Sequence, residues 1–101
     1  MGGPSDESRS VARMRGLGAA SARMLRAAGI DTQARLRELG AVAAFAQVRA
    51  AGCAPSLNLL WALEGALTDQ AWQQVARESR VSLLLALETY ERQHAPPSSA
   101  G

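Results

Sequence analysis

Apolar positions recur at three- and four-residue spacing over most of the chain, and glycines stand where the runs stop. Helices that end in a left-handed glycine fit this punctuation. The pattern predicts a first helix over Arg9 to Arg15, ended by Gly16-Leu17-Gly18, and a second over Ala19 to Ala28, closed by Gly29. Asp31 or Thr32 can accept a hydrogen bond from the amides of the next first turn, starting a third helix that runs through Leu39 to Gly40. A fourth covers about Ala41 to Ala51, with Val42, Phe45 and Val48 along one side. Beyond a loop from Gly52 to Pro55, Ser56 is the expected N-cap of a fifth helix, Leu57 to Leu67, whose apolar face carries Leu57, Leu60, Leu63 and Leu67. Gly65 interrupts that helix at about 1 kcal/mol relative to Ala, so another helix is expected to pack closely there. Trp72 and Val75 read as a short anchoring turn with Trp72 in the core, followed by a last helix from about Ala76 to Arg92.

Composition narrows the architecture. Hydrophobic residues make up 48% of the 101 residues but aromatics only 4%, so Leu, Ala and Val must fill the core and helices must approach closely. Ala, Leu, Arg, Glu and Gln dominate, and β-branched and aromatic residues are too sparse to build a sheet. The expectation is an all-α, compact domain of five to six helices over residues 9–93. Residues 1–8 and 94–101 hold three of the four prolines and little apolar material, and read as disordered tails.

The chemistry-bearing residues exclude more than they suggest. Cys53 is the single cysteine and His94 the single histidine, which leaves no internal disulfide and no structural zinc shell. Cys53 has no neighbouring basic residue to activate its thiol, and no His, paired carboxylates, phosphate-binding loop or GxSxG accompanies it. A non-enzymatic protein without metal or cofactor is expected. The polar N-terminus, with Asp6 and Glu7, lacks the pattern of a secretory signal, and no apolar run reaches the length of a membrane span. A cytoplasmic protein follows. All eleven basic residues are Arg, a usage that points to a GC-rich bacterial genome rather than to special chemistry.

Charge is divided unevenly. Residues 9–49 hold eight arginines against Asp31 and Glu38, a balance of plus six, whereas residues 50–101 hold three against five acids, a balance of minus two. A local positive field of this kind attracts phosphate even when net charge is small, although a solvated Arg-rich surface has the same composition. The segment Arg15-Gly16-Leu17-Gly18, followed by Ser21 and Arg23, sits inside the basic half and resembles a helix-hairpin-helix. The glycines permit a tight reversal, Leu17 can point into the core, and small Ala22 lets the second helix lie close to the first. Hairpin amides and the positive end of the second helix would face a phosphate, with Arg15 and Arg23 adding charge. The proline that often precedes the first glycine of this motif is replaced by Arg15. The glycines are equally explained as purely structural. DNA contact would be to the backbone and weak, with a dissociation constant of about 1–100 µM at physiological salt.

Longer stretches carry a resemblance. Leu17-Gly18 with Ser21 and Leu25, Ala28-Gly29-Ile30-Asp31-Thr32, Leu36-Arg37-Glu38-Leu39-Gly40-Ala41-Val42, Ala51-Gly52 and the run Ser56 to Leu67 resemble the C-terminal domain of the TfoX/Sxy competence-regulator family. The similarity covers roughly residues 14–92. It implies a helix-hairpin-helix or SAM-like domain that occurs behind a TfoX N-terminal domain or alone, this chain being the stand-alone form. For full-length members it implies positive regulation of genes for natural DNA uptake, beside the cyclic-AMP receptor protein at competence promoters. It implies no catalytic or ligand residues. A protein-interaction module is the competing expectation, with Leu59, Trp61 and Leu83 as an apolar patch for a partner such as a transcription regulator or a second subunit of a homodimer.

Overall fold

The structure, a computed structural model, describes residues 10–94. They form a single 3-10 turn (Val11–Arg13) and five helices: α1 (Ala19–Ala27), α2 (Gln33–Ala50), α3 (Leu57–Thr68), α4 (Trp72–Glu78) and α5 (Arg80–Gln93). The fold is all-α, as composition requires. The expected tails lie outside the described residues apart from His94, which caps α5 with its ring stacked on Tyr90.

Helix α3 is the centre of the molecule. Leu60 and Leu63 are completely buried, and Leu59 and Trp61 nearly so, because α2 and α4 cover different sides of the same helix. Helix α5 packs on α2 through Leu83 and Leu87. The expected partner patch of Leu59, Trp61 and Leu83 is therefore core: a helix wrapped by neighbours buries residues off its main stripe. Among the described residues, the large apolar side chains left exposed are Leu57, Trp72, Val81 and Leu85. Trp72, expected in the core, is 40% exposed, while Val75 one turn later takes the buried place.

Two predicted helices change length. Of the helix expected over Arg9 to Arg15, Arg9 lies outside the described residues and the rest is helical only in the turn at Val11–Arg13, because the segment is tied sideways to the start of α2. Ser10 makes an antiparallel bridge with Thr32, and the Val11 amide donates to the Asp31 carbonyl (3.2 Å). The buried Gln33 side chain donates to the Ser10 carbonyl (3.2 Å). Met14 is then extended rather than helical, and the hairpin lacks a helical first limb. At the other end, the single helix expected over Ala76 to Arg92 is two, broken at Ser79, which closes α4 and opens α5.

The glycine reading holds in the middle of the chain. Gly40 has φ 82° and ψ 166° inside α2, so the helical segments predicted on either side of it meet at a break that only glycine adopts without strain. Thr32 caps the first segment, its hydroxyl accepting from the Arg35 amide (3.1 Å). Gly65 is required for a different reason. A Cβ there would lie 2.5 Å from the Gln70 carbonyl oxygen, so what packs against it is the chain's own reversal into α4 rather than another helix. Asp69 makes that reversal in the left-handed conformation (φ 59°, ψ 44°), and the Gln70 amide donates back to the Gly65 carbonyl (2.8 Å).

Candidate nucleic-acid interface

The residues singled out around the glycines gather at the start of α1, but not all with the same orientation. Gly16 (φ 86°) reverses the chain after Met14, and the Leu17 amide donates to the Met14 carbonyl (3.1 Å). Leu17 turns inward and is buried with Met14, anchoring the reversal to the core. Gly18 is the N-cap of α1 and supplies no side chain to its amides, while Ala19 and Ala20 are exposed. The first-turn amides of an α-helix have no partners within the helix, and the macrodipole adds partial positive charge at the same end. Arg23 lies one turn beyond Ala19 on the same face and is exposed.

Arg15 points elsewhere. Its guanidinium Nη1 donates to Asp69 Oδ1 (3.0 Å), linking the reversal before α1 to the corner between α3 and α4. Both side chains are mostly in water, so the pair contributes little to stability. Arg26 donates to the Ser10 hydroxyl (3.3 Å) and supports the N-terminal bridge. Of the six residues expected at the interface, Gly16, Gly18, Ser21 and Arg23 surround the start of α1, Leu17 supports it from inside, and Arg15 borders it.

Ser21 belongs also to a feature that spacing alone did not reveal. A shallow cleft of about 250 Å³ separates α1 from α3. Gly16, Ser21 and Met24 form its α1 wall, and Ser56, Asn58, Leu59 and Ala62 form its α3 wall. Trp72 lines it from the first turn of α4. Ser56 caps α3 by position without a side-chain hydrogen bond to its amides. Sequence spacing marks Ser56 as a cap and Trp72 as a core residue; only the tertiary approach of three helices brings them beside Gly16 and Ser21.

A second hollow, of about 440 Å³, lies between the ends of α2 and α5 over Ala46 and Ala50. Its charged groups are already engaged: Arg49 pairs with Glu91 (3.5 Å) and sits over the Phe45 ring at 5.6 Å. Among the described residues no three His, Cys, Asp or Glu side chains come together as a metal-ligating group. No helix among them is long and apolar enough to cross a membrane. Cys53 is half-buried against the core.

A family model described as the TfoX C-terminal domain matches residues 7–87. No curated protein and no solved structure matches the chain.

Proposed function

The chain belongs to the TfoX C-terminal domain family, and from that premise we propose that it is a non-enzymatic regulatory module that contacts the DNA backbone at the start of α1. The observation that carries this reading is the exposed, side-chain-free N-cap at Gly18 with Arg23 one turn along the same face. Oriented amides and a cation on one face suit a phosphate oxygen, and none of these groups reads a base edge. Sequence-independent, salt-sensitive binding follows. A part in competence regulation would then come from bringing this weak backbone contact to a promoter held by another regulator.

The test is fluorescence anisotropy of labelled duplex DNA at low and at physiological salt, with the natural protein and an Arg15→Ala/Arg23→Ala variant. The affinity of the natural protein should fall steeply with salt. The double variant should bind more weakly, with a salt slope about 2 units smaller if each arginine neutralises one phosphate. It should also fold normally, because exposed arginines contribute little to stability. Absence of binding at low salt, or a folded double variant with unaltered affinity and slope, would sink the assignment.

A second reading, as a protein-interaction module, has its own observation. Val81 (69% exposed) and Leu85 (58%) lie one turn apart on α5, opposite the buried Leu83 and Leu87. Two exposed branched side chains on one helix face suit a partner helix. Retention of duplex binding by a Val81→Ser/Leu85→Ser variant would keep the two surfaces separate.

A further inference from the structure

We propose that the cleft between α1 and α3 accepts one unit of a single-stranded nucleic acid, its base against the Trp72 indole and its phosphate toward the start of α1. The inference rests on the backbone-contact reading above and narrows it to a strand whose bases are unpaired.

Size is the first argument. Small-molecule sites usually run from about 300 to 1,000 Å³; this cleft, at about 250 Å³, has room for a single planar ring rather than an extended cofactor. Wall chemistry is the second. Trp72 presents an indole that is 40% exposed, although the buried Val75 shows that the same helix reaches the core within a turn. Beside this apolar surface, Ser21, Ser56 and Asn58 line the same cleft. A hydroxyl and a carboxamide each donate and accept, as the edge of a nucleobase does. An apolar peptide side chain would match Trp72 but give the Ser and Asn groups nothing polar to bond, whereas a base has both a π-face for the indole and a polar edge.

Charge supplies the third argument. Arg15 and Arg23 are exposed and stand next in sequence to the lining residues Gly16 and Met24; neither lines the cleft itself, and Arg15 is paired with Asp69. An anionic linkage leaving the cleft toward Gly18 would meet the positive end of α1. In a duplex the bases are stacked on one another and cannot reach an indole beside a shallow cleft. A single strand can splay one out, and stacking on aromatic side chains tolerates any sequence because every base has a π-face.

The experiment compares a labelled oligothymidylate with a duplex of equal length, by anisotropy, for the natural protein and for Trp72→Ala, Trp72→Phe and Asn58→Ala, with circular dichroism to establish folding. Loss of a base–aromatic stack corresponds to roughly a 5- to 160-fold weakening. Trp72→Ala should show that loss for the single strand with little change for the duplex, and Trp72→Phe should recover most of it. Asn58→Ala, an exposed position at the start of α3, should weaken single-strand binding without affecting the fold. Duplex binding together with single-strand affinity indifferent to Trp72 and Asn58 overturns this inference and leaves the backbone reading standing. Equal losses for both nucleic acids also overturn it, and failure to bind either removes both readings.

Discussion

Replacing Gly65 by Ala sets helix propensity against packing, and the two predict opposite signs. Propensity alone favours Ala in a helix interior by about 1 kcal/mol. In the folded chain, however, the new Cβ would lie 2.5 Å from the Gln70 carbonyl oxygen, a backbone atom held by the Asp69 reversal. Close C···O contacts settle near about 3.3–3.6 Å, so the two segments must separate by roughly 1 Å. Overpacking of this kind costs about 1–3 kcal/mol, and weakening the Gln70 amide bond to the Gly65 carbonyl adds about 1 kcal/mol. Against the propensity gain, the net loss is about 1–3 kcal/mol, which for a domain of this size lowers the melting temperature by roughly 5–20 °C. Thermal and urea unfolding followed by circular dichroism measure it. Ala66→Gly, one residue along the same helix, is the control and should lose about 1 kcal/mol by propensity. A Gly65→Ala protein as stable as the natural one, or more so, would show that the corner between α3 and α4 is not closed as described.

Further outcomes follow from the same physical terms. Leu63→Ala removes a fully buried side chain at the centre of α3 and should cost about 2–5 kcal/mol in urea unfolding; a loss under about 1 kcal/mol would mean that the core lies elsewhere. Thr32→Ala deletes the hydroxyl that accepts from the Arg35 amide and should cost about 1 kcal/mol, with Thr32→Ser restoring most of it. Leu85→Asp should leave monomer stability within about 0.5 kcal/mol, since the side chain touches mostly water. If light scattering shows the natural chain to be a dimer and the Leu85→Asp chain a monomer, the α5 face is the contact.

Much of the helical layout was legible because glycine and hydroxyl residues carry local information. The break at Gly40, the cap at Thr32 and the start of α3 after Ser56 need only neighbouring residues to specify them. The errors occur where distant contacts decide. Arg9 to Arg15 has helical composition, but Ser10 and Val11 bond across to Asp31, Thr32 and Gln33 instead, which no local pattern encodes. Ser79 breaks the last helix without Gly or Pro beside it, because redirecting the chain there lets Val75 reach the core under α3 while Leu83 and Leu87 reach α2. Hydrophobicity alone puts Trp72 inside, yet Val75 takes the burial site near the start of α4 and leaves Trp72 exposed. The candidate site divides the same way: Gly16, Gly18, Ser21 and Arg23 are contiguous in sequence, whereas Ser56, Asn58 and Trp72 join them only through the approach of α3 and α4.

The bridge between Ser10 and Thr32 also sets how the molecule bears load. It fastens the beginning of the described chain directly to the first turn of α2, so α1 and its glycine reversal form a closed loop slung between two neighbouring anchor points. Tension arriving at residue 10 passes across the bridge into α2 and bypasses α1.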